Sequence, residues 1–197
     1  MNINTALPLK QTFCSLSSDG AMLHNYQDLI VLFNATFTET ENTVLVKGDH
    51  EPIYIPAQRS EHHQIVFAHG YFASALHEIA HWCIAGKQRR LLEDYGYWYS
   101  PDGRDMQQQV EFEKVEVKPQ AIEWAFSCVA GKPFTVSTDN LKGAAADIQG
   151  FQNAVKRQIM LYLEYGFPTR AAEFMGVLQK FYQTDDLQWE MFDVESA

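Results

Sequence analysis

Two histidines four residues apart, in the run His77-Glu78-Ile79-Ala80-His81, constrain this chain more than any other feature. On an α-helix, residues four apart lie about 40° out of line and ~6 Å along the axis. Two imidazoles on one such rigid face can grip a single metal ion, so the string demands a helix. That helix is expected from about Tyr71 to Ala85, directly after a β-rich run, His63 to Ala68. Gly86 suits its C′ position, with basic Lys87, Arg89 and Arg90 beyond to complement the helix dipole. Small residues around the string (Ala73, Ser74, Ala75, Ala80) permit close packing of a neighbour. With 7 His and 14 Glu in 197 residues, chance produces the string roughly 0.02 times per chain. The competing reading is a pair of partly buried structural histidines. It needs separate partners for two imidazoles and a carboxylate, whereas metal ligation satisfies both histidines together.

Two helical histidines leave a metal open, so a third ligand must come from elsewhere. Cys83 is two residues past His81, about 200° around the helix, and faces the core instead. His62, His63 and His69 precede the helix; of these His69 could approach the site, but nothing fixes its direction. The downstream carboxylates Glu111, Glu113, Glu116 and Glu123 are stronger candidates, because a second helix crossing the first can supply such a ligand. Glu116, just before Pro119, is put forward among them. Two histidines and a carboxylate admit two chemistries. With Zn²⁺, bound water is activated and Glu78 acts as general base, as in zinc peptidases; from the string alone this reading comes first. With Fe(II), the same set is the facial triad of non-haem oxygenases.

The surrounding chain predicts an α+β domain: a small mixed or antiparallel sheet covered by about five helices, with the metal helix central. Leu23, Tyr26, Ile30, Phe33 and Phe37 recur at helical spacing from Met22 to Phe37, N-capped by Ser18 or Asp19. Strands are expected at Thr43 to Lys47, Ile53 to Ile55 and His63 to Ala68, the second an edge strand between Pro52 and Pro56. A helical stretch from Asp105 to Ala130 is interrupted by Pro119, either as a kink or as two helices meeting. Two more helices follow, near Ala145 to Tyr165 and Thr169 to Tyr182. The first of these places Ile148, Phe151, Val155, Ile159 and Tyr162 on one stripe. Residues 1–20 are expected to form an N-terminal extension, 21–184 a single catalytic domain and 185–197 a loose acidic tail.

Composition excludes several classes. The net charge of −10 argues against non-specific nucleic-acid binding, which depends on Lys and Arg displacing counterions. Three separated cysteines (Cys14, Cys83, Cys128) make neither a disulfide framework nor a zinc cluster. The N-terminus lacks a secretory profile, and no apolar run approaches the ~20 residues of a membrane span. A reduced cytoplasmic protein is the expectation.

Longer blocks carry a resemblance. Ile53-Tyr54-Ile55-Pro56, Ile65-Val66-Phe67-Ala68-His69-Gly70, Ala75 through Lys87, Tyr95-Gly96-Tyr97-Trp98-Tyr99, Pro101 through Asp105 and Val115 through Ala121 together resemble the elongation factor P hydroxylase family. The likeness runs from about Tyr26 to near Tyr182. It implies hydroxylation of the β-lysylated lysine of elongation factor P at a non-haem iron site with O₂ as co-substrate. It also implies a fold of zincin-like or metal-dependent endoribonuclease-like kind. The family's triad falls on His77, His81 and Glu116 of this sequence; Glu78 matches the motif, but a peptidase-type base role need not transfer. A long cationic substrate calls for an aromatic, acidic approach. Tyr97, Trp98 and Tyr99 are candidates for cation–π contacts, and Asp94, Asp102 and Asp105 for the negative field. Lys87, Arg89 and Arg90 would either dock an acidic partner or simply face solvent at a helix end.

Overall fold

A computed structural model describes residues 24–94, 103–138 and 147–192. The first helix, α1 (Tyr26–Glu41), is capped by Asn25, whose side chain accepts from the Gln27 amide at 2.9 Å. Ser18 and Asp19, the expected caps, lie outside the described residues. Leu29, Phe33 and Phe37 of α1 are fully buried.

Three short strands follow: β1 (Thr43–Lys47), β2 (Ile53–Ile55) and β3 (His63–Phe67). β3 lies in the centre, parallel to β1 and antiparallel to β2, so the sheet is mixed. Its Ile65 and Phe67 point into the core. As an edge strand β1 has unpaired backbone groups, and α1 supplies a partner. The Asn34 carboxamide accepts from the Leu45 amide at 2.7 Å and donates to the Leu45 carbonyl at 3.5 Å. β2 is the other edge, as its flanking prolines require, and Asp94 returns to form a single bridge with Tyr54.

The chain leaves β3 through His69 (φ 52°) and Gly70 (φ 74°) and enters α2 (Phe72–Ile84). At Gly70 a β-carbon would sit 3.1 Å from the Tyr26 ring and 3.2 Å from Lys47 Cε, so the turn is both left-handed and crowded. The end of α2 differs from expectation. Ala85 is extended (φ −64°, ψ 122°), and Gly86 does not take the left-handed C′ conformation. The Arg170 guanidinium reaches the exposed carbonyls from the last helix instead. Its Nη2 donates to Trp82 (2.8 Å), Cys83 (3.1 Å) and Ala85 (2.7 Å). A cation at that end also suits the helix dipole.

α3 (Met106–Val129) is one continuous helix through Pro119, not two. Burial of Pro119 among α3's core residues holds the helix together although Val115 loses its usual amide donor. α4 (Ile148–Tyr165) and α5 (Thr169–Tyr182) pack against α3, with Phe151, Val155 and Ile159 of α4 buried. Ile148 leaves the expected stripe and is exposed, because it sits in the first turn beyond the packed region. Trp82, Phe33, Phe37, Phe126 and Phe174 form the aromatic centre, with ring centroids 4.9 to 6.2 Å apart. The segment after Thr184 is not wholly loose. Thr184 Oγ1 donates to the Val129 carbonyl at 2.6 Å, and a short 3-10 turn, Trp189–Phe192, buries Phe192 against Trp124. An aromatic residue that finds a core site outweighs the solvation of its acidic neighbours.

Candidate metal centre

α2 presents His77 and His81 on one face, and α3 crosses that face. Glu116 and Glu123, seven residues apart on α3, lie about two turns apart on one side of the helix. Both meet the histidine pair. His81 Nε2 lies 3.1 Å from Glu116 Oε1, His77 Nε2 lies 3.6 Å from Glu116 Oε2, and the two Nε2 atoms are 3.0 Å apart. Three donors each ~2.1 Å from one ion sit roughly 3.0–3.4 Å from one another; the His77–His81 and His81–Glu116 spacings fall in that range, and the His77 contact to the other Glu116 oxygen is slightly longer. Ligand atoms of His77, His81 and Glu116 all fall within 4.8 Å of one another.

Burial grades across the site. The Glu116 side chain is 5% exposed and those of His77 and His81 are 29% and 20% exposed, so the carboxylate lies at the base and the imidazoles face the opening. Glu116 Oε2 is buried and has no hydrogen-bond partner. A carboxylate oxygen in that position is costly unless a cation meets it, and two imidazoles beside it complete a donor set suited to a divalent ion. The residues therefore fit a metal.

The metal-free electrostatics point the same way. Burial alone would raise the Glu116 carboxyl, but the His81 and His77 charges and the Gln120 amide hold it at about 2. Burial alone would lower His77, yet the Glu123 carboxylate, followed by Glu116 and Glu78, raises it to about 10. His77 thus stabilises the metal-free fold fully below its ordinary 6.5, and that contribution fades as pH rises through 10. Glu116 contributes above its ordinary 4.5 and loses its contribution as pH falls towards 2. A metal ion held at Nε2 would take the place of the His77 proton there, so its uptake would release a proton and weaken with acidification.

The other carboxylates have different partners. Glu111 pairs with Lys114 at 2.6 Å, and Glu113 accepts from the Gln109 amide at 3.0 Å. Glu123 is close to the centre but engages the far side of His77, with Oε2 2.8 Å from Nδ1. It thereby orients the ring and leaves Nε2 for the centre. The paired spacings, four on α2 and seven on α3, were the only sequence signal for this arrangement. Cys83 is core, and burial pushes its thiol up. His62 contacts Asn42, His63 accepts from the Ala57 amide, and the His69 ring lies against Tyr71.

Glu78 and His81 line a small pocket whose far side is formed by Tyr54, Ile65, Arg89 and Asp94. Burial raises the Glu78 carboxyl, opposed by the His77 and His81 charges. Asp94, expected to lend a negative field, is neutralised by Arg89, and Arg90 pairs with Glu41 at 2.7 Å. Arg89 and Arg90 are thus engaged within the fold rather than presented to a partner. Asp105 caps α3, its carboxylate accepting from the Gln108 amide at 2.9 Å. Tyr97, Trp98, Tyr99 and Asp102 lie outside the described residues.

Comparison with known proteins decides the lineage. Residues 32–192, which carry all four side chains of the centre, match the family model described as elongation factor P hydroxylase. The chain belongs to that family. A relative from Haemophilus influenzae, named elongation factor P lysine hydroxylase, is 51% identical over 175 residues, covering 88% of this chain and 98% of the relative. For a hydroxylase of this family, Glu123→Gln is expected to weaken metal binding by roughly 10–100-fold without removing a ligand. Metal titration checks this; unchanged affinity would show that Glu123 does not orient His77.

Proposed function

We propose that this chain is a cytoplasmic enzyme that hydroxylates the β-lysylated lysine of elongation factor P at a mononuclear iron site held by His77, His81 and Glu116. The observation that carries the reading is the convergence of two imidazoles and a buried carboxylate oxygen that makes no hydrogen bond, in a member of a hydroxylase family. Insertion of one oxygen atom into a C–H bond, with the other leaving as water, needs dioxygen, two electrons and two protons. Iron supplies the redox chemistry for this when bound, whereas zinc, having no redox chemistry, does not. The chain's own contribution is positional. Glu123 holds His77 through Nδ1, Glu116 anchors the base of the centre, and both histidines stay partly exposed.

The zinc-hydrolase reading, with Glu78 as general base, rests on the five-residue string alone, and family membership favours oxidation. No described helix is long and apolar enough to cross a membrane. The test is mass spectrometry of β-lysylated elongation factor P after incubation with the protein and a reductant. Iron-loaded protein is expected to add one oxygen atom and zinc-loaded protein none. Zinc-dependent cleavage of a peptide or RNA, lost in Glu78→Gln, would overturn the reading.

A further inference from the structure

The pocket beside the metal centre holds one carboxylate with no direct ion pair, its opposing charges being His77 and His81 on the same helix. Among its lining groups, Arg89 is matched by Asp94, and Arg90 is matched by Glu41 from α1. Glu78 makes no hydrogen bond or ion pair with any described residue, although it lines the same pocket as His81. Ile65, Ala85 and the Tyr54 ring supply apolar wall around it. Such a site favours a ligand with an aliphatic stem and a positive end. An anion would meet Glu78 with both arginines already engaged by carboxylates.

We propose that Glu78 binds an ammonium group of the substrate side chain, with the pocket wall of Ile65, Ala85 and Tyr54 covering the aliphatic stem that leads to His81. The proposal rests on the functional reading above for the identity of the substrate. It gives Glu78 a task that the helical string does not suggest: a counter-charge that selects the lysylated form and sets its depth. One turn separates Glu78 from His81 along α2, so the ammonium contact and the metal centre share one rigid element. Truncating one partner of a poorly solvated charge pair weakens binding strongly, because the other charge is left without a counterpart.

The experiment is equilibrium binding under anaerobic conditions, so that no turnover is required. Metal-loaded wild-type protein, Glu78→Gln and Glu78→Asp are each titrated with β-lysylated and with unmodified elongation factor P. Glu78→Gln is expected to weaken binding of the lysylated factor by on the order of tenfold or more, with a smaller loss in Glu78→Asp. Binding of the unmodified factor should not change, and metal content per chain should equal that of the wild type. In turnover the loss should fall on KM more than on kcat. If the wild type prefers the lysylated factor and Glu78→Gln keeps the same preference, the Glu78 assignment alone falls. A loss confined to kcat would likewise overturn it, in favour of a proton-transfer role. If the wild type does not distinguish the two factors, the functional reading falls with it.

Discussion

Replacing His81 by alanine is expected to empty the metal centre and to lower hydroxylation at least about a hundredfold, beyond the 10–100-fold typical of losing an outer-shell partner. His81 contributes two edges of the ligand triangle, 3.0 Å to His77 and 3.1 Å to Glu116. Without it the remaining imidazole and carboxylate cannot hold an ion in a three-ligand site, and Glu116 stays buried with one imidazole fewer. Alanine is the best helix former and His81 lies at a half-open position, so α2 itself should persist. Metal content per chain and the mass gain of the factor check the result together. Full metal occupancy with retained turnover would remove His81 from the centre.

The Arg170→Met variant is expected to lose about 2–4 kcal/mol of stability, which for a chain of this length lowers Tm by roughly 5–15 °C. One guanidinium nitrogen serves three carbonyls at the end of α2, and its carbon lies 4.6 Å over the Trp82 ring. Methionine keeps the apolar stem but removes this donor from the Cys83 and Ala85 carbonyls and leaves Trp82 only the Ala85 amide at 3.2 Å. It also removes the second cation near Glu41, whose Oε2 is 4.0 Å from Arg170 Nη1. Because His81 sits in the last turn of α2, fraying from that end should loosen the metal as well. Thermal unfolding with and without metal measures both effects. A Tm within about 2 °C of wild type would show that another group caps the helix.

Much of this architecture was legible in the residues, and the exceptions have physical causes. The helical string placed α2, and Gly166 with Pro168 set the start of α5 at Thr169. The sheet was expected as mixed or antiparallel, but the parallel pairing of β1 with β3 depends on which strand takes the centre, and short strands do not encode that. The pattern near Gly86 suggested a glycine C-cap. Arg170, more than eighty residues away, performs that task instead, and no local rule could foresee it. Pro119 suggested a break, whereas tertiary burial outweighed the lost amide. At the site, Glu116 was put forward among four carboxylates from its place before Pro119 and from the resemblance. The crossing of α2 and α3 is what brings Glu116 and Glu123, and not Glu111 or Glu113, to the histidines, with Glu123 on the far side of His77. Asp94 and Asp105 were acidic in the right neighbourhood but are consumed by Arg89 and by the cap of α3.

The most direct measurement is the mass of β-lysylated elongation factor P after incubation with anaerobically iron-loaded protein, a reductant and isotopically heavy dioxygen. One heavy oxygen atom is expected on the modified lysine, with none when zinc replaces iron or when His81 is alanine. An unchanged mass with the iron-loaded wild type, or an equal gain with zinc, would contradict it.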